Sequence, residues 1–424
     1  MAEARIERIV GRPVWDSRGR PTVEAEIFLD TGASGRAIAP AGASTSTYEA
    51  VDLRDHGPEF GGFGVDRAVA NVNREIAAAL RTMRIADQNA IDNRLIELDG
   101  TPNKARLGGN STIAVSMAAL HASAAAKGEP LWRLVAEGGP VTLPMPMIQI
   151  FGGGAHAGRR VDVQDFLVMP VGAASFGEAL AMAAHVYRAA GNIMAERGLL
   201  RGVADEGGWW PEFASNAEAL DTLVEAIERA GLVPGEEVGI AIDVAASQFR
   251  DGSGYRLAAD GVELETSALV ELLTEWCRRY PIVSVEDPVA EDDDSGMAAF
   301  TAAVGDRVQV IGDDYLVTSA ERVAAAASRG ACNAVLLKPN QAGTVTETKA
   351  ALAAARAAGW RTVVSARSGE TEDVTIVHLA VGWSAGQLKV GSFARSERMA
   401  KWNEGLRIEE TLGASGMLAS ITRS

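Results

Sequence analysis

Six short apolar segments in the second half of the chain each end in a charged or polar residue. They read Gly-Ile-Ala-Ile-Asp243, Ile-Val-Ser-Val-Glu286, Val-Gln-Val-Ile-Gly-Asp313, Ala-Val-Leu-Leu-Lys338, Val-Val-Ser-Ala-Arg367-Ser368 and Gln-Leu-Lys389. Most intervals are about twenty to thirty residues, one strand plus one helix, which is the period of a (β/α) barrel. The C-terminal strand ends of such a barrel face one mouth, so these positions are expected to converge there. Three acids followed by two lysines around one opening point to a metal site with cationic groups beside it.

The chain has 424 residues, room for a barrel of about 250 residues and a second domain of about 140. Residues 4–10, 21–29 and 35–39 read as a small antiparallel sheet, with Asp30-Thr-Gly32 as a hairpin turn. Val65, Val69, Val72, Ile76 and Leu80 recur at helical spacing and predict a helix packed on that sheet. Sheet first and helices after is an α+β arrangement for residues 1–138. The boundary is placed at Gly138-Gly139-Pro140, with the barrel over residues 139–424. Counting Val203–Pro211 as a strand gives nine, one too many. It is therefore read as a loop between two consecutive helices, with the first two barrel strands adjacent, giving an α/β fold of pattern ββαα(βα)6. The acidic run Glu291 to Asp294 reads as a solvated loop, and Asp287-Pro288 as a helix cap and first helical residue.

The net charge of −16 argues against nucleic acid or an anionic membrane as partner, since both need a basic surface. It leaves room for a small anionic substrate in a locally cationic site. Two cysteines, Cys277 and Cys332, are too few for a disulfide scaffold and read as buried small hydrophobes. The N-terminus lacks a signal-peptide pattern, and the apolar run Ile113 to Ala126 is shorter than a membrane span. That run reads as a buried, alanine-rich helix, and the expected address is the cytoplasm.

The chain resembles enolase over nearly its whole length. Asp16-Ser-Arg-Gly19, Pro21-Thr-Val-Glu24, Gly42-Ala-Ser-Thr45 and Leu98-Asp-Gly-Thr101 are similar to that family's N-terminal domain. Asp205-Glu-Gly-Gly208, Val285-Glu-Asp-Pro288, Gly312-Asp-Asp314, Asn340-Gln341, Arg367-Ser-Gly-Glu-Thr-Glu-Asp373 and Arg395-Ser-Glu-Arg398 are similar to its barrel. The resemblance implies roles at these positions. Asp243, Glu286 and Asp313 would hold the tightly bound Mg²⁺, and Ser44 would close over the substrate and a second Mg²⁺. Lys338 would be the general base that takes the C2 proton of 2-phosphoglycerate. Lys389 would bind the substrate carboxylate, and Arg367 and Ser368 the phosphate. Glu206 would be the general acid at C3, with Asp165 as its carboxylate partner, and Gln164 and His156 would touch the substrate. Divalent charge on the carboxylate oxygens stabilises an enolate as it forms. A lysine set among cations is expected to have a lowered pKa and so to accept a proton near neutrality. A homo-oligomer, dimer or octamer, is a further implication.

Two departures from the family pattern fall on the machinery itself. The family's Gln-Glu-Phe is Gln164-Asp165-Phe166 here, and its Ser-His-Arg-Ser is Ser365-Ala366-Arg367-Ser368. Trp209-Trp210, Pro339, Phe151 and Ser46 are further departures, most of them close by, and the tryptophans read equally as site lining or as packing. The altered residues cluster where the C3 hydroxyl departs, while the metal, base and phosphate positions remain. The sequence therefore points to a specialised relative that forms a metal-stabilised enolate from a phosphorylated or phosphonate substrate. A carboxyphosphonoenolpyruvate synthase of phosphonate natural-product biosynthesis is one role that fits. An ordinary phosphopyruvate hydratase and a catalytically silent enolase-like binding protein are the alternatives.

Overall fold

The computed structural model describes residues 4–43, 46–252 and 254–420, so Ser44 lies outside the described residues. Strands β1 (Ile6–Trp15), β2 (Pro21–Leu29) and β3 (Ser34–Ile38) form an antiparallel sheet in that order. The β2–β3 turn closes through Gly32, whose φ of +85° suits a residue without a Cβ. Helix Gly109–Lys127 lies across the sheet so closely that a Cβ on Gly35 would run into the Ala122 backbone. This is the alanine-rich run, and nearly every residue from Gly109 to Ala124 is buried. The valine row forms a helical stretch interrupted by a π turn over Val72–Ile76. Inside that turn the Asn73 amide joins Gly11 of β1, accepting its N–H at 2.9 Å and donating to its carbonyl at 2.8 Å.

Eight strands close the barrel: β4 (Met145–Gly152), β5 (Asp165–Met169), β6 (Gly239–Asp243), β10 (Ile282–Glu286), β11 (Gln309–Gly312), β12 (Ala334–Leu337), β13 (Arg361–Ser365) and β14 (Gly386–Gly391). A three-stranded excursion after β6, β7 (Arg250–Asp251), β8 (Gly254–Leu257) and β9 (Val262–Leu264), stands outside it. Strands β4 and β5 follow each other directly. Helices Phe176–Glu196 and Asn216–Arg229 then come in succession before β6, with Val203–Pro211 between them. The order is ββαα(βα)6. Strand β5 runs antiparallel to both neighbours, so its first residue, Asp165, reaches the mouth where the other strands end.

Period-two alternation explains how the mouth is furnished. Met145 and Met147 on β4, Leu167 and Met169 on β5, Ala241 on β6, Ile311 on β11, Leu336 on β12 and Val363 on β13 belong to one apolar cluster. Two positions further toward the mouth along each of these rows stand Gln149, Asp165, Asp243, Asp313, Lys338 and Ser365. The polar groups are thus the top layer of a packed barrel interior, and the residues beneath them fix their height. The larger apolar core lies outside the barrel, between its strands and the surrounding helices.

Two local expectations are corrected. No helix starts at Asp287-Pro288. The Asp287 carboxylate instead accepts the backbone N–H groups of Asp313 at 2.9 Å and Asp314 at 2.7 Å, tying the ends of β10 and β11 together. The acidic run is not simply solvated loop either, because Asp293 caps helix Asp294–Val304 and accepts the Gly296 N–H at 2.8 Å. Cys277 and Cys332 are buried and unpaired, as expected. Among the described residues no helix is long and apolar enough to cross a membrane.

Candidate active site

Asp243, Glu286 and Asp313 end consecutive strands or follow them, and all three side chains are buried. Asp243 and Glu286 stand in register on β6 and β10. The ammonium of Lys389 lies across this pair, 2.7 Å from Asp243 Oδ2 and 2.9 Å from both Glu286 oxygens. Lys338 donates to Asp313 Oδ2, and Gln341 donates to Asp313 Oδ1 at 2.9 Å. Gln164 donates to Asp243 Oδ2 at 2.9 Å. Burial and the neighbouring Asp243 charge push Glu286 well above the usual carboxylate range, even with Lys389 beside it.

That donor set fits Mg²⁺. It is made of hard carboxylate oxygens, it carries no thiolate, and it sets buried negative charge against the Lys338 and Lys389 ammonium groups. The closest clusters of possible ligands are different ones, Asp287 with Asp313 and Asp314, and His156 with Asp165 and Glu206. Across Asp243 and Glu286 lies the Lys389 ammonium instead. The expected lowering of the Lys338 pKa is not found. Burial disfavours its charge, but the Asp313 carboxylate outweighs burial and raises it. A cation drawing on Asp313 would take away that partner.

On the other side of the mouth, His156 rises from the short turn Gly154–Ala157 in the β4–β5 loop. Its Nδ1 faces Asp165 Oδ1 at 3.0 Å, and its Nε2 faces Ser368 Oγ at 2.9 Å and Glu206 Oε1 at 3.7 Å. Burial disfavours the imidazolium, yet the charges of Asp165 and Glu206 prevail and lift its pKa to about 9. Asp165 is correspondingly held below the usual carboxylate range. The short Asp165 is therefore connected to Glu206 through the imidazole. Ala366 is buried at the end of β13 and offers no side-chain hydrogen bond there.

Arg367 is paired with Glu49 of the N-terminal region, Nη1 to Oε2 at 2.9 Å. Its backbone N–H is held by Glu370 at 3.0 Å, and its carbonyl by Arg398 at 2.7 Å. Glu370 in turn pairs with the fully buried Lys401 at 2.9 Å. In the loop Val203–Pro211 the Glu206 carbonyl accepts the Ser392 N–H at 2.9 Å, just past the end of β14, and the two glycines of the loop are required by contact. A Cβ on Gly207 (φ +91°) would meet the Ala394 carbonyl, and one on Gly208 would meet the side chain of Gln149. Trp209 is packing: its ring stacks on Tyr187 at 4.6 Å and its N–H reaches the Tyr187 carbonyl at 2.8 Å.

One residue was missed from sequence. Gln149 is fully buried on β4, donates to Asp165 Oδ1, and accepts the Gly208 N–H at 2.8 Å. It joins the Asp165 carboxylate to the Glu206 loop. The available signal was an amide inside an otherwise apolar strand, Met-Ile-Gln-Ile-Phe.

Comparison with known proteins accords with this geometry. Residues 140–423 match the family model described as enolase, C-terminal TIM barrel domain. Residues 6–135 match enolase, N-terminal domain. The chain belongs to the enolase family. It is 49% identical over 419 residues to a protein named Enolase 1 from Desulfitobacterium hafniense (strain Y51), covering 98% of this chain and 96% of that relative. As a member of the enolase family it is an enzyme of that superfamily.

Proposed function

We propose that this enolase-family enzyme removes the proton α to the carboxylate of a 2-phosphoglycerate-like substrate and stabilises the resulting enolate. The observation that carries the reading is the top layer of the barrel. Three buried carboxylates with two lysines occupy one side, and a histidine between two further carboxylates occupies the other. Asp243, Glu286 and Asp313 would hold Mg²⁺, and Ser44 would help with a second ion over the substrate. A metal held there would supply positive charge to the substrate carboxylate as enolate charge develops.

The chain's own groups divide the remaining work. With Asp313 drawn to the metal, Lys338 would lose the partner that holds its proton and would serve as the base for C2. Lys389, released from Asp243 and Glu286, would grip the substrate carboxylate. Arg367, its guanidinium kept in place by Glu49, and Ser368 would receive the phosphate. Gln164 orients Asp243 and faces the same space. On the far side His156 is held by Asp165 and meets Ser368 Oγ at 2.9 Å, with Glu206 Oε1 3.7 Å from the same nitrogen. Once Ser368 turns to the phosphate, the imidazole would be free to resupply Glu206 as it protonates the leaving hydroxyl. We place the division between N-terminal and barrel domains at residues 138 and 139, and the site in the latter.

Loss of water from C3, the phosphopyruvate hydratase reaction, is supported by this connected relay and by the similarity to Enolase 1. A specialised relative is favoured by one observation, Ala366. Beside a shortened Asp165, it leaves the leaving-group side with one fewer imidazole than the family pattern. A carboxyphosphonoenolpyruvate synthase-like reaction is the form of that reading already raised by the sequence. Incubation with Mg²⁺ and 2-phosphoglycerate, following phosphoenolpyruvate by its ultraviolet absorbance, tests the first reading. Rapid formation supports the hydratase, and absence of product from fully folded, metal-loaded enzyme removes it.

A further inference from the structure

A cavity of about 270 Å³ lies against the turn that carries His156. Its wall includes Arg159, Arg250 and Arg256, together with Gly154, Asp162 and Gln248. Three guanidinium groups on one small cavity are unusual for a chain of net charge −16, because the general field of the molecule repels anions. Arg159 and Arg256 have no carboxylate partner among the described residues. Arg250 is held at long range, 3.4 Å from Asp292, 3.2 Å from the Tyr255 hydroxyl and 3.3 Å from the Gly252 carbonyl, with its guanidinium 5.3 Å over the Tyr255 ring. The carboxylate of Asp162 makes no ion pair with them among the described residues. Its oxygens are taken by the N–H groups of Ala258 at 2.8 Å and Ala259 at 3.1 Å and the Asn216 amide at 2.8 Å, so the three guanidinium groups outnumber the acids on the wall. Exposed Asp251 is the other acid on the wall.

The cavity is wired to the site. Gln248 accepts the Ala155 N–H at 2.8 Å, one residue before His156, and donates to Gln164. Gln164 donates to Asp243. We infer that this cavity is an accessory site for a small phosphate- or phosphonate-bearing anion, read by the forked guanidinium groups of Arg159, Arg250 and Arg256. Its occupancy bears on the His156 turn through Gln248. The inference goes beyond the reaction proposed above and does not depend on it.

The test uses the metal-free full chain in EDTA, with inorganic phosphate as the probe and titration calorimetry as the readout. Three proteins are compared: the wild type, Arg159→Gln with Arg256→Gln, and a control of equal charge change, Arg278→Gln with Arg329→Gln. The first pair is exposed, so folding is retained. The expected result is a phosphate site weakened by about tenfold or more in the cavity variant and unchanged in the control. Hydrogen exchange over residues 152–166 should slow on phosphate addition in the wild type and control only. Equal binding in all three proteins places phosphate on the active-site cations alone and overturns the inference. So does an equal loss in both variants, which reduces the effect to net charge.

Discussion

Replacing Gln149 by Met keeps most of its volume and removes both of its hydrogen bonds. Asp165 then loses a buried donor, and the Gly208 N–H loses the acceptor now 2.8 Å away. A hydrogen bond to a charged group contributes about 1.5–3 kcal/mol, and an orphaned buried donor costs about 1–3 kcal/mol. His156 still holds Asp165 at 3.0 Å, so the stability loss is set at about 3–5 kcal/mol. Asp165 also lies 3.5 Å from the Lys389 ammonium, but the larger effect falls on the leaving-group side. Gln149 touches the Asp165 and Glu206 half and has no hydrogen bond to Lys338 or its partners. A displacement of about 1 Å on that half lowers phosphoenolpyruvate formation by about 10²-fold, while exchange of the C2 proton is kept. Urea unfolding gives the first quantity, and parallel measurement of product and C2 exchange gives the second. If stability is unchanged, or exchange and product formation fall together, Gln149 does not position this half of the site.

Three further outcomes follow from the same geometry. Restoring the family pattern with Asp165→Glu and Ala366→His should raise the ratio of dehydration to C2 exchange, and an unchanged ratio counts against the role given to these positions. His156 is lifted from 6.5 to about 9 by Asp165 and Glu206 against burial, so its stabilising contribution is complete below about pH 6.5 and is lost as pH rises through about 9, roughly 3 kcal/mol at most; the melting temperature of metal-free protein should fall across that window, and His156→Gln should flatten the fall. Glu370→Gln leaves Lys401 buried without its counter-charge and should cost about 3–5 kcal/mol in unfolding free energy; a loss under 1 kcal/mol would mean that the carbonyls of Thr371 and Glu397, at 2.9 and 3.2 Å, suffice to hold it.

Much of this architecture was legible because barrel strands place their inward residues at period two. Asp243, Glu286, Asp313, Lys338 and Lys389 each follow a short apolar run, and the apolar run is the strand. The pairing of Lys389 with Asp243 and Glu286 was not legible, because strand spacing says which groups share a mouth but not which ones touch. The antiparallel direction of β5 was equally hidden. Its residues alternate in the same way whichever way they run, and direction follows from a connection too short for a crossover. Asp287 was misread since an Asp-Pro pair commonly starts a helix, whereas here tertiary contact with Asp313 and Asp314 decides its use. Lys338 was misjudged from its cationic neighbours alone, because the nearest charge is the Asp313 carboxylate. Ser44 lies outside the described residues.

The central claim is that Lys338 takes the proton α to a carboxylate held by metal at Asp243, Glu286 and Asp313. Proton exchange at C2 of 2-phosphoglycerate in D₂O tests it most directly, because exchange reports proton removal whether or not water is lost afterwards. Exchange is expected to require Mg²⁺ and to disappear in Lys338→Ala, with phosphoenolpyruvate formed alongside by a hydratase or lagging behind in a specialised relative. No exchange in the metal-loaded wild type, or exchange that survives Lys338→Ala, would contradict it.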